Sequence, residues 1–185
     1  MHNKVARELT KALKEAMAEP QREVMCFRPH SDRMDIVCNG LDVGTSLIGI
    51  DVAVTGDFTN VPPGDEAVMP GAMATRYEAV KWRKYAHWVT NCPPAHRPTG
   101  PRAELTPGQP RIGLVPFVAD VYGALGRSAE KFLPRVSKVL AANINTHHGT
   151  IKRALFCRIM LTVQASMADL FILGDTSPRP LNAAG

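Results

Sequence analysis

Two short apolar runs in the stretch RMDIVCNGLDVGTSLIGIDVAV each contain one aspartate, Asp35 and Asp51. Both runs have the length and the β-branched residues of strands, and the segment between them supplies turn-forming residues. Carboxylates are poor strand formers and are expensive to bury. Because successive side chains of a strand point to opposite faces, Asp35 lies opposite Ile36, and Asp51 lies opposite Ile50. If the two strands are neighbours, the two carboxylates can come within a few ångström of each other.

The rest of the chain predicts helices around this strand region. Val5, Leu9 and Leu13 recur at helical spacing in a first helix over residues 3–18, which Pro20 ends. EVMCF (23–27) adds a strand, so that three strands form a meander with MDIVC (34–38) and SLIGIDVAV (46–54). The remaining predicted segments are a loop over 56–71, a helix over 72–89, a proline-rich loop over about 91–110, a strand that begins at 111, a helix over 124–143 that is kinked or restarted at Pro134, and a helix over about 150–173. This order predicts an α/β sandwich with a mixed sheet of about four strands and C-terminal helices.

The composition indicates a globular chain with a modest excess of positive charge. With 185 residues, the chain is long enough for one domain with a real core. Lysine and arginine number 22 against 17 aspartates and glutamates, a net charge of +5 that suits a polyanionic partner. No apolar run approaches the roughly 18 residues of a membrane span, and no signal peptide is visible. The four cysteines form no CxxC pair, which indicates reduced thiols. We therefore expect a nuclear or cytoplasmic protein that is neither secreted nor bound to a membrane.

Two clustered carboxylates repel each other unless a cation lies between them. Hard oxygen ligands of this kind suit Mg²⁺ or Mn²⁺. A metal site held by Asp35 and Asp51 is one interpretation of the strand pair. The other is structural: each aspartate caps a turn or forms an ion pair with a basic side chain.

The predicted helix over 72–89 favours a polar cluster opposite the strands. At about 100° per residue, Lys81, Lys84, Tyr85 and Trp88 fall on the same side of this helix as Tyr77. An aromatic face is the side expected to pack on the sheet, and a lysine within it is costly unless it reaches a carboxylate or an anion. The alternative is that the lysines extend to the edge of the helix and remain in water. His2 lies on the same stripe as Val5 and Leu9, but a residue so close to the chain start is expected to fray.

The order of four motifs resembles a known family. RMDIV, GIDVAV, a helix with AVKWRKYA, and LVPFVADVYGALG together are similar to the PD-(D/E)xK restriction-endonuclease-like domain. The resemblance is closest to the version found C-terminal to reverse transcriptase in eukaryotic non-LTR retrotransposons. It runs from about residue 2 to 135, which implies a nuclease-like core over 1–135, including the proline-rich loop, and a C-terminal helical extension and tail over 136–185.

The resemblance assigns roles to individual residues. Asp35 takes the place of the family's first aspartate, although Met34 replaces the usual proline. Asp51 stands where the second acidic residue belongs. Ala53 occupies the place of the family's lysine two positions later, so the resemblance implies a lysine from the following helix. Lys84, directly before Tyr85, matches the KY element best, and Lys81 is the other candidate for the same catalytic role.

The implied activity is that of a metal-dependent DNA endonuclease. Asp35 and Asp51 would bind Mg²⁺ or Mn²⁺, and the reaction would be hydrolysis of a DNA phosphodiester that nicks a target site. The implied partners are DNA, contacted by Arg76, Arg83 and Tyr85, and the reverse-transcriptase portion of a larger polyprotein. The alternative is a catalytically inactive nuclease-like fold that acts as a nucleic-acid- or protein-binding module. A small-molecule α/β enzyme is disfavoured, because the chain has no nucleophile elbow and no nucleotide fingerprint.

Overall fold

The structure is a computed structural model that describes residues 1–27, 32–39, 41, 47–56, 71–97 and 112–175. Its elements are α1 (His2–Glu15), β1 (Gln21–Phe27), β2 (Asp32–Cys38), β3 (Ile48–Thr55), α2 (Ala72–Tyr85), a single 3-10 turn (Pro94–His96), β4 (Gly113–Asp120), α3 (Arg127–Asn143) and α4 (His148–Asp175). The predicted order of helices and strands is confirmed, with bounds that differ by a few residues. Residues 57–70 of the loop predicted over 56–71, most of the proline-rich loop and the tail after 175 lie outside the described residues.

The four strands form one mixed sheet in the order β1-β2-β3-β4. β1, β2 and β3 pair antiparallel as the predicted meander, and β3 pairs with β4 in parallel. A parallel pair needs a long crossover, and α2 lies in that connection. Asp51 is in register with Pro116 of β4. Because β4 is an edge strand, a proline is tolerated there.

One face of the sheet packs on α1, α3 and α4. Ile36, Ile50 and Phe117 project from this face into one buried cluster with side chains of the three helices. The members from α4 are Leu155, Ile159 and Val163, and those from α1 include Val5, Leu9 and Leu13. The helices after the predicted domain boundary thus share the core of the residues before it, and residue 135 lies inside α3. α3 is a single helix that contains Pro134 and does not restart there.

The opposite face of the sheet packs on α2. Trp82 and Tyr85 join Met34 and Leu114 in a second buried cluster. Gly71 is the N-cap of α2, and its positive φ of 82° favours glycine. Its N–H donates to the Asp120 side chain at the end of β4. This arrangement is an α/β/α sandwich, as expected from the sequence. Among the described residues, no helix has both the length and the apolar character to cross a membrane.

Candidate active site

Asp51 lies on the face of β3 that α2 covers. Its neighbours Ile50 and Val52 point into the cluster on the other face, while Ala53 contacts Ala74 of α2. The alternation predicted from the sequence is therefore present. The Asp51 side chain is 7% exposed, so a carboxylate has been placed in the interior of the sandwich.

α2 supplies two polar partners for this carboxylate. Lys81 and Tyr85 are four residues apart, so their side chains lie on the same face of the helix. The Lys81 Nζ lies 2.7 Å from Asp51 Oδ2. The Tyr85 hydroxyl donates to Asp51 Oδ1 at 3.1 Å. Lys81 also lies 5.4 Å from the centre of the Tyr77 ring, within the range of a cation–π contact.

The Asp51 carboxylate is incompletely satisfied by these partners. The Lys81 ammonium contacts Oδ2 as an ion pair, and this buried oxygen accepts no other hydrogen bond from the described residues. Burial raises the pKa of Asp51, and the charge of Asp35 raises it further. Lys81 and the Tyr85 hydroxyl lower it, and the net direction is upward because the loss of hydration is the largest effect.

Asp35 lies where β2 separates from β3. The paired register of these strands ends at Ile36 and Ile50. Beyond that point the Val52 N–H donates to Asp35 Oδ2 at 2.7 Å. The carboxylate thus accepts the hydrogen bond that a backbone carbonyl oxygen would accept in a paired strand. His2 Nε2, at the start of α1, lies 3.0 Å from the same oxygen. The sequence left His2 out of the candidate site, although its place on the buried stripe of α1 was the signal that could have included it.

The two aspartates and the helix lysines line one cavity of about 590 Å³. His2, Tyr77 and Tyr85 also contribute to its wall. The effect of the Asp35 charge on the pKa of Asp51 indicates that the carboxylates interact across this cavity. Side chains from α1, β2, β3 and α2 therefore converge on one space.

The other predicted site residues lie at different depths. Lys84 is exposed at the cavity wall, with its Nζ 4.7 Å from the centre of the Tyr85 ring. Tyr85 itself is fully buried, so its ring is not available to stack on a base, and its contribution is the hydroxyl on Asp51. Arg76 and Arg83 are exposed on α2, and the Arg83 Nε donates to the Ala79 carbonyl oxygen. Of the two candidate lysines, Lys81 is the more buried, and it contacts the Asp51 carboxylate.

The donor set fits a hard divalent cation. Within the described ranges there is no cluster of three or more histidine, cysteine, aspartate or glutamate side chains that could hold a metal. Mg²⁺ does not need one, because it is usually held by one or two carboxylates and keeps several of its waters. Asp51 Oδ2, which contacts the Lys81 ammonium and accepts no other hydrogen bond among the described residues, is the buried oxygen that could hold such an ion.

Comparisons with known proteins add no relative. No protein-family model matches the chain, and no curated protein and no solved structure matches it either.

Proposed function

We propose that this chain is a metal-dependent nuclease that hydrolyses phosphodiester bonds of DNA. The observation that supports it most directly is the position of Lys81, 2.7 Å from a buried strand carboxylate, in a cavity shared with the carboxylate of the neighbouring strand. A buried cation beside two acids is costly unless the group has a task, and perturbed carboxylates are frequent at catalytic sites.

Each residue of the cavity has a role in this proposal. Asp35 and Asp51 hold the divalent ion, Mg²⁺ or Mn²⁺, which when bound supplies an activated water and a counter-charge for the phosphate. Lys81 stabilises the negative charge that develops on the phosphate oxygens. Tyr85 orients Asp51 through its hydroxyl. Lys84, at the exposed part of the wall, attracts the phosphate backbone.

The wider setting of the proposal comes from the sequence. The resemblance to the nuclease domain of non-LTR retrotransposons suggests a nick at a target site and a reverse-transcriptase portion as partner. Arg76 and Arg83 are exposed close to the cavity and are suited to contact DNA. We propose a nuclear or cytoplasmic location, with which the free thiols of Cys38, Cys92 and Cys157 agree.

The test is conversion of supercoiled plasmid to the nicked form. The wild-type protein is compared in Mg²⁺, in Mn²⁺ and in EDTA with Asp51→Asn and Asp35→Asn. Asp169→Asn removes an exposed carboxylate that does not line the cavity and serves as the matched control. We expect metal-dependent nicking by the wild type and the control, and none by the two site variants. Nicking that persists in Asp51→Asn would refute the proposal.

One observation favours the binding-module alternative. Both carboxylates already have a basic partner, since Lys81 contacts Asp51 and His2 contacts Asp35. Such pairs can be purely structural. A second measurement therefore accompanies the nicking assay: the shift of the melting temperature on titration with Mn²⁺. A protein that binds DNA but neither nicks it nor responds to Mn²⁺ is a binding module.

A further inference from the structure

The exposed face of α3 is a row of cations. Arg127, Lys131, Arg135 and Lys138 follow one another at intervals of four, four and three residues, so they lie on the same side of the helix. At about 1.5 Å per residue, the first three span about 12 Å of the helix axis. Lys131 is exposed at the centre of the row.

Two cavities flank this row and meet at Lys131. A cavity of about 420 Å³ between α2 and α3 is lined by Arg127, Lys131 and Arg135. A cavity of about 740 Å³ between α3 and α4 is lined by Lys131, Lys152 and Arg153. We call these five residues together the basic α3–α4 surface.

Four of the five cations of this surface carry charge that no ion pair among the described residues neutralises. Within the part of the chain that the structure describes, no carboxylate forms an ion pair with Arg127, Lys131, Lys152 or Arg153. The acids that line the two cavities are Glu130 and Glu78.

Glu78 is buried, and its oxygens accept hydrogen bonds from the N–H and the hydroxyl of Ser128. These partners of Glu78 are therefore groups of Ser128 and not cations of the row. Five clustered cations repel one another and raise the local potential, which favours binding of an anion.

α2 joins this surface to the candidate active site. Lys81 faces the cavity with the two aspartates, whereas Ala79 and Trp82 line the cavity that faces α3. Arg76 and Arg83 are exposed on the side of the helix between the two cavities. Basic side chains therefore continue from the aspartate cavity over α2 to α3.

We propose that the basic α3–α4 surface binds the phosphate backbone of a DNA duplex beside the segment that enters the active site. The identity of the nucleic acid as DNA rests on the proposed function. With α3 lying along the duplex axis, the row is long enough to span about three base-pair steps of 3.4 Å rise each. Contacts of this kind fix the position of a duplex without reading its sequence.

Equilibrium binding to a labelled DNA duplex in EDTA tests the proposal, because no cleavage occurs without metal. The test variant is Arg127→Gln/Lys131→Gln, and the matched control, Lys11→Gln/Lys14→Gln, removes two exposed cations from α1. Fluorescence anisotropy is recorded over a range of salt concentrations. The slope of log K against log salt is negative, and we expect it to be less steep in the test variant by about 1.8, two phosphate contacts at 0.9 each, while the control keeps the wild-type slope.

A second variant, Lys152→Gln/Arg153→Gln, tests the contribution of the α4 cations to DNA binding. With two variants, a folding defect in one of them does not decide the outcome. Wild-type slopes in both site variants would overturn the proposal. So would a loss of binding to anionic lipid vesicles that leaves DNA binding unchanged.

Nicking tests the proposed function, and DNA binding in EDTA tests the surface, so the two proposals can fail independently. A wild type that binds through this surface without nicking refutes the nuclease and retains the surface. If the wild type nicks DNA and both site variants bind DNA as the wild type does, the nuclease proposal is retained and the surface is refuted.

Discussion

The Lys81 ammonium contacts the Asp51 carboxylate across the interface between α2 and β3, at 2.7 Å. Both side chains are mostly buried, with 16% and 7% of their surface exposed. Lys84, three residues later on the same helix, is exposed and lines the same cavity. Two lysines of one helix thus differ in burial at one cavity, which makes them a matched pair for mutagenesis.

We predict that Lys81→Met reduces the nicking rate much more than Lys84→Met. A positioned cation that stabilises transition-state charge is typically worth about 10²–10³ in rate, so a loss of that size is expected for Lys81. Lys84 contributes to binding, and its replacement should weaken DNA affinity with less than about tenfold effect on the single-turnover rate. Single-turnover nicking at saturating protein measures both. A larger rate loss in Lys84→Met would transfer the catalytic role to that residue.

The pKa of Asp51 should respond to its neighbours in a fixed order. Lys81 lowers this pKa more than the Tyr85 hydroxyl does, and Asp35 raises it. We therefore expect Lys81→Met to raise the pKa of Asp51 strongly, Tyr85→Phe to raise it slightly, and Asp35→Asn to lower it. The carboxyl carbon chemical shift of Asp51, followed against pH in metal-free protein, reports all three. A fall on replacement of Lys81 would contradict the observed contact.

The sequence predicted the faces of the site because those depend on local periodicity. A period of two placed Asp51 opposite Ile50, and a period of 3.6 placed Lys81, Lys84 and Tyr85 on one side of a helix. The choice between the lysines is not local. It depends on how α2 is rotated against the sheet, and that rotation is set by burial of side chains such as Tyr85 and Trp82.

Two further contacts of the site depend on long-range packing. The contact of His2 with Asp35 requires α1 to pack beside β2, and no residue near His2 in the sequence indicates that partner. The bond from Val52 to Asp35 arises because β2 and β3 stop pairing at Ile36, which neither strand shows alone.

Asp35 has a structural role that can be separated from its chemical one. Its carboxylate accepts the Val52 N–H, so Asp35→Ala leaves a partly buried donor without that acceptor. We predict a loss of about 1–3 kcal/mol in the free energy of unfolding for Asp35→Ala, the usual cost of an unsatisfied group. Asp35→Asn keeps a carbonyl oxygen and should lose less, while both variants lose nicking. Urea denaturation measures the free energy of unfolding of the two variants. Equal values would mean that this hydrogen bond contributes nothing to stability.

The start of α3 is held by a residue from another helix. Glu78 of α2 accepts the N–H and the hydroxyl of Ser128, and the preceding Gly126 has no room for a side chain. A Cβ at Gly126 would lie 2.3 Å from Glu78 Oε1. We predict that Glu78→Ala destabilises the protein by about 1 kcal/mol or more, as loss of a helix cap does.

Gly126→Ala should destabilise the protein as well, because the new methyl group displaces the Glu78 carboxylate. The two changes then act on one contact, so the double variant should lose less stability than the sum of the single losses. Additive losses in urea denaturation would show that the glycine and the glutamate are independent.

The burial of Glu78 also predicts how stability depends on pH. Burial raises the pKa of this carboxyl, although the Ser128 and Ala129 N–H groups oppose the shift. The folded protein therefore holds the proton more tightly than the unfolded chain does, and stability is lost as the pH rises from the ordinary value of about 4.3 through the folded pKa.

Glu78→Gln is neutral at every pH, so this variant should not lose the stability that the wild type loses when Glu78 ionises. We expect the melting temperature of Glu78→Gln minus that of the wild type to become more positive between acidic and neutral pH. Other acids titrate equally in both proteins, so the difference isolates Glu78. A constant difference would mean that folding does not shift the pKa of Glu78, and a difference that becomes more negative would mean that the charged form stabilises the cap; either result would contradict the prediction.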